Sequence, residues 1–235
     1  MRIIAWLILF CATFVVLPLS SSAGPITVPT GLAPGTQYRL AFLTSTTTDA
    51  TSSDIGYYNT FVTNTANSVP QLAALETTWS AIASTAAVDA LDNTDTNPST
   101  LDPSVPIYGL ANALIASGND ALWGGYEPVY LQNGTNERGQ PLGPAAFWYG
   151  SNYGDGYPGY TLGSTPSVLV LLTLYNSGVY QGYDLTADPA TSLLPVAAMS
   201  GVLTVPFPTP EPSTLVLACL AATGLAVTAL RRRKR

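Results

Sequence analysis

The sequence predicts an α+β fold, with a single domain over residues 24–208 set between two apolar terminal segments, 1–23 and 209–235. Three observations point to it. Apolar, β-branched runs at Gln37 to Thr44, Val168 to Tyr175 and Leu194 to Val205 have the length and composition of strands. Between the first two, Ile55, Tyr58, Phe61 and Val62 recur at helical spacing. The remainder is rich in Gly, Pro, Asn and Ser, as expected of long connections. The span falls within the usual single-domain range of about 50–250 residues.

In chain order, the Gly/Pro-rich lead-in at Gly31 to Gly35 delivers the first strand, Gln37 to Thr44. Ser52 or Ser53 caps a helix running from Asp54 to about Ala66, with Asp54 favourable in its first turn. A second helical piece is expected from Val69 to Thr78, because Leu72, Leu75 and Trp79 fall on one side. Trp79 to Leu91 is read as a strand that ends at the polar loop Asp92 to Pro98. Ile107 to Leu110 is a short strand, and Asn112 to Ser117 and Asn119 to Trp123 are pieces of an irregular segment. Asn133-Gly134 marks a tight turn. Gly143 to Gly163 is read as a long loop system, and the two late apolar runs close the sheet.

The termini have the composition of processing signals. Arg2, an apolar run from Ile3 to Leu17, Pro18 and the small residues Ser21-Ser22-Ala23 form the three parts of a secretory signal peptide, with cleavage expected between Ala23 and Gly24. Signal peptidase is thus an expected processing partner. Cys11 is not a lipoprotein cysteine, since bulky Phe10 precedes it and the apolar run continues beyond it. At the other end, the Pro-rich stretch Val205 to Pro212 must be extended. A membrane-spanning helix is expected at 213–230, just long enough for a core of about 30 Å, followed by the basic cluster 231–235. Basic residues stay on the cytoplasmic side, so the domain would lie outside, in agreement with the signal peptide.

Composition then excludes several chemistries. Between the termini, thirteen acidic residues face only Arg39 and Arg138, which argues against a nucleic-acid partner. There is no histidine, so Ser-His-Asp and Cys-His catalysis are ruled out. Both cysteines, Cys11 and Cys219, lie in the apolar termini and leave the domain without a disulfide or thiolate metal site. No cofactor is expected.

The residues Pro210-Glu211-Pro212, Ser213-Thr214, the short apolar helix and the cluster containing Arg231, Arg232 and Arg233 resemble the PEP-CTERM sorting signal. The resemblance implies an exosortase that recognises the tail and cuts near the triplet, in a bacterium that makes exopolysaccharide. A plain stop-transfer anchor is the alternative for the helix and cluster, but does not call for Pro-Glu-Pro. The implied product passes through an inner-membrane-anchored precursor to the cell surface or extracellular matrix. The segments Tyr38 to Thr44, Trp79 to Thr85, Val88 to Ala90, Pro106 to Tyr108 and Leu122 to Gly125 resemble a bacterial family of extracellular domains of uncharacterised function. The order of pieces is similar to a C-type-lectin-like or endostatin-like domain, without the cysteines that staple typical lectin domains.

Three groups of residues are candidates for chemistry. Trp123, Trp148, Tyr149, Tyr153 and Tyr157 sit among glycines and are candidate glycan contacts, since aromatic faces stack on sugar rings. Packing of the same rings over a sheet is the alternative. Asn93, Asp95 and Asn97 alternate as oxygen donors and form a weak Ca²⁺ candidate; Pro98 stands where such a loop wants Gly, and the closing Glu is missing. Glu127 with Glu137 or Asp155 would be the carboxylate pair of a glycoside hydrolase. The functional expectation is a non-enzymatic surface or matrix protein, structural or polysaccharide-associated, with a polysaccharide-modifying enzyme as the alternative.

Overall fold

A computed structural model describes residues 24–123, 134–142, 146–151, 160–176 and 179–208. Its organising element is β1 (Gln37–Leu43), in which every residue after Gln37 is buried. A mostly apolar run, interrupted by the buried Arg39, suits a strand covered on both faces. Tyr38, Leu40 and Phe42 point into one core with Tyr58, Val62, Leu72, Trp79 and Trp148. Ala41 and Leu43 point into a second core with Ile82, Ile107, Trp123, Phe147 and Tyr149. Alternation along one strand thus supplies both cores.

Around β1 lie β2 (Trp79–Ala81), β3 (Ile107–Gly109), β4 (Leu114–Ala116), β8 (Ala197–Ser200) and β9 (Leu203–Thr204), in the order β2-β8-β1-β3-β4, with β9 on the early part of β1. β3 runs parallel to β1, while β8 and β9 run antiparallel to it. The register changes from Ala41↔Met199 to Tyr38↔Leu203, which places one extra residue between β8 and β9. Ser200 fills this irregularity: its Oγ accepts the Leu40 N–H at 2.9 Å, in place of a ladder carbonyl. A separate sheet has the order β5-β6-β7, from β5 (Ala146–Trp148), β6 (Ser167–Asn176) and β7 (Val179–Pro189). It joins the first through the Trp148↔Val196 bridge.

Helix α1 (Ile55–Asn67) covers one face of the first sheet, burying Tyr58, Val62, Thr65 and Ala66. Asp54 is its N-cap and accepts the Gly56 N–H at 2.8 Å, so the cap falls one residue beyond the serines expected from sequence. The α2 helix is shorter than expected, Pro70–Ala73, because Glu76 turns the chain with φ 48° and Trp79 joins a strand. The strand expected over Trp79 to Leu91 also ends early. After Ala81 the chain turns at Thr85–Val88 and forms α3 (Ala90–Asn93). Two asparagines fix this change of course. Asn59 and Asn93 exchange side-chain hydrogen bonds at 2.8 and 2.9 Å. Asn59 accepts the Ala81 N–H and Asn93 donates to the Ala81 carbonyl. Asn119–Trp123 is helix α4, where sequence suggested irregular chain.

The helix-and-strand mixture agrees with the α+β expectation. Among the described residues no helix is long and apolar enough to cross a membrane. The signal peptide 1–23, the span 213–230 and the cluster 231–235 lie outside the described residues.

Candidate functional site

Of the candidate glycan contacts, Tyr153 and Tyr157 lie outside the described residues. The other three are interior. Trp148 is fully buried in β5, and its Nε1 donates to the Thr48 carbonyl at 2.8 Å. Trp123 is buried in α4, and its Nε1 donates to Thr96 Oγ1 at 2.9 Å; Thr96 is in turn bonded to Thr94. Tyr149 is fully buried in the second core. Each indole thus satisfies its single donor inside the protein, and these rings act as packing elements.

Of the Ca²⁺ candidate residues, Asn93 and Asn97 use their side chains within the fold, and Asp95 uses its backbone. The Asn93 amide oxygen accepts from Asn59. Asp95 has φ 50°, and its carbonyl accepts from Arg39 at 2.9 Å. The Asn97 amide donates to Asp92 at 2.6 Å while its oxygen accepts the Ser99 N–H at 2.9 Å. Among the described residues no group of three or more His, Cys, Asp or Glu is placed to hold a metal ion.

Glu137 is 2% exposed, and its two carboxylate oxygens accept the backbone N–H and the hydroxyl of Ser45. The exposed Arg138 Nε lies 3.7 Å away. Glu137 therefore clamps the loop at 134–142 to the end of β1. Glu127 and Asp155 lie outside the described residues.

Arg39, the other cation of the domain, is 3% exposed. Its guanidinium donates to the carbonyls of Thr94, Ser200 and Asp95 at 2.9, 3.1 and 2.9 Å. Burial pushes its pKa down, opposed by Asp95 and Asp102. It is a buried strut that joins β1, the irregularity at Ser200 and the loop after α3.

Sequence reasoning missed a surface feature on α1. Asp54, Gly56, Tyr57, Thr60, Phe61 and Asn64 line an open groove of about 590 Å³. Tyr57 is 46% exposed yet held in place. Its hydroxyl bonds Thr48 Oγ1 at 3.0 Å, and its ring meets Tyr58 edge-on, centroids 5.1 Å apart at 89°. Tyr58 is itself anchored by donating to the Ser52 carbonyl at 2.9 Å, and burial raises its pKa. The signal for this face was present in the sequence: Tyr57 and Phe61 are four residues apart, hence neighbours on a helix.

Residues 208–234 match the PEP-CTERM protein-sorting motif. No curated protein matches the chain. The motif match supports an exported, surface-directed protein sorted by an exosortase.

Proposed function

We propose that this protein is a non-enzymatic component of the cell surface or extracellular matrix, associated there with polysaccharide. Signal peptidase removes residues 1–23, the helix at 213–230 holds an inner-membrane precursor, and exosortase acts at Pro210-Glu211-Pro212. The observation that carries the reading is the sorting motif at 208–234, which begins where the described domain ends. The acidic domain adds support: thirteen carboxylates against two cations suit a hydrated matrix rather than an anionic polymer or nucleic acid. The lectin-like resemblance of the sequence belongs to the same reading.

A polysaccharide-modifying enzyme is the competing reading. The buried clamp formed by Glu137 with Ser45 weighs against it, because a glycosidase carboxylate must reach the substrate. Cosedimentation of the exported protein with the native host's insoluble matrix, with and without Ca²⁺, tests the proposal. The expected result is cosedimentation without release of reducing sugar. Protein that stays in the supernatant contradicts the association, and sugar release contradicts the non-enzymatic role.

A further inference from the structure

We propose that the outer face of α1 is the polysaccharide contact, and that it takes an uncharged polysaccharide strand. Tyr57 and Phe61 would provide the stacking surface, with Asp54, Thr60 and Asn64 as polar partners along the same groove. This inference rests on the polysaccharide-associated reading and gives it a site.

Geometry provides the first argument. Residues 54, 57, 61 and 64 are spaced by three and four, so they form one stripe on a helix. From Asp54 to Asn64 the helix rises about 15 Å, which is room for several linked sugar rings rather than one. The groove's volume of about 590 Å³ lies within the ordinary ligand-site range of about 300–1,000 Å³.

Preorganisation provides the second. An exposed tyrosine ordinarily samples several rotamers, but Tyr57 is tethered at its hydroxyl by Thr48 and braced at its ring by Tyr58. A ring already fixed in place loses less conformational freedom when it stacks on a ligand.

Charge selects the ligand class. Among the described residues that line the groove there is no cation, and Arg39 is spent on backbone carbonyls. With Asp54 at one end and an acidic domain around it, an anionic glycan would be repelled. Hydroxyls of a neutral polymer can donate to Asp54 and to Thr60 Oγ1, whose own proton goes to the Gly56 carbonyl, and can exchange hydrogen bonds with Asn64.

Neither end of the described segment runs over this face, and among the described residues Tyr57 stays 46% exposed on it. Gly24 lies beside Gln71, beyond the C-terminal end of α1. Phe207 lies against Gly35, ahead of the start of β1. Tyr38 links the two regions, bonding the Thr27 carbonyl and pairing with Leu203. The described segment therefore enters and leaves near the start of β1, while the groove runs along α1 from Asp54 to Asn64.

The test is affinity electrophoresis of the full chain in mild detergent. The gels contain hydroxyethyl cellulose, glucomannan, amylose, the host's own matrix polysaccharide, or anionic alginate. At least one uncharged polymer should retard the protein, and alginate should not. Tyr57→Ala should weaken retardation at least tenfold, and adding Phe61→Ala should weaken it further at a lower melting temperature, since Phe61 also packs against the core. Tyr57→Phe, which removes only the tether to Thr48, should weaken it about threefold, and Tyr160→Ala, an exposed aromatic elsewhere, should have no effect. Because Phe61 is partly buried, Tyr57→Ala alone serves if the double variant does not fold. Wild-type retardation that survives Tyr57→Ala overturns the site and leaves the matrix reading standing. Retardation only by alginate, or a Tyr57→Ala variant that changes oligomeric state rather than retardation, also overturns it. Silence of the wild type toward every polymer removes the underlying reading and this site with it.

Discussion

Arg39 shows how a single side chain can join three separate stretches of chain. Its guanidinium satisfies carbonyls of Thr94, Asp95 and Ser200, none of which lies on its own strand. Arg39→Met keeps the aliphatic stem but strands these carbonyls, and should cost about 3 kcal/mol in urea unfolding. Glu137 is the second such residue. Glu137→Gln leaves one acceptor oxygen where Ser45 requires two, and should destabilise by about 1–2 kcal/mol. If Glu137 is a clamp, the same variant leaves matrix cosedimentation unchanged. Sequence alone could not separate the roles of these residues. A lone arginine in an apolar strand and a glutamate in a turn-rich segment look alike whether they bind, catalyse or brace. Trp123 and Trp148 posed the same difficulty: aromatic rings among glycines suggested a surface platform, yet each indole is buried with its N–H matched inside the protein.

At the scale of elements, what was legible depended on length and periodicity. The first strand, helix α1 and the run over β6 are long enough for their pattern to prevail, and they appear close to where the sequence places them. Three-residue strands such as β4 and β5 carry no usable period, and exist because a neighbour offers a ladder: Phe147 pairs with Leu171, and Tyr108 with Leu114. β7 alternates over its second half, with Tyr183, Leu185 and Ala187 on one phase and Asp184, Thr186 and Asp188 on the other, but Tyr180 and Gln181 reverse the pattern in its first half, so its period is legible only in part. The early end of β2 has another cause, since a side-chain pair, Asn59 with Asn93, takes over the Ala81 backbone groups. Contact between segments is testable at Gly163. It has φ +82°, and an added Cβ would lie 2.6 Å from Ser53 Cα, just ahead of α1. Gly163→Ala should therefore lower stability by about 1–3 kcal/mol, read as a drop in melting temperature. A neutral result would mean that this approach to the start of α1 is loose.

For the whole molecule, the chemistry of the interior predicts an alkaline weakness. Burial raises the pKa of both Tyr38 and Tyr58 above the ordinary phenol value of 10.0. The folded state therefore holds these protons to higher pH than the unfolded chain does. Their contribution is fully present below that ordinary value and is lost progressively as pH rises past it. Denaturant melts at about pH 8 and about pH 11 should show lower stability at the higher pH, and Tyr58→Phe should reduce the difference. The chain divides by role into a domain built around β1 and a C-terminal sorting motif at 208–234. Intact mass, measured on protein recovered separately from the cell envelope and medium of the native host, tests that division. The expected product begins at Gly24 and ends near Pro210. A product that keeps Arg231 to Arg235 in both fractions would contradict it and make the tail a permanent anchor.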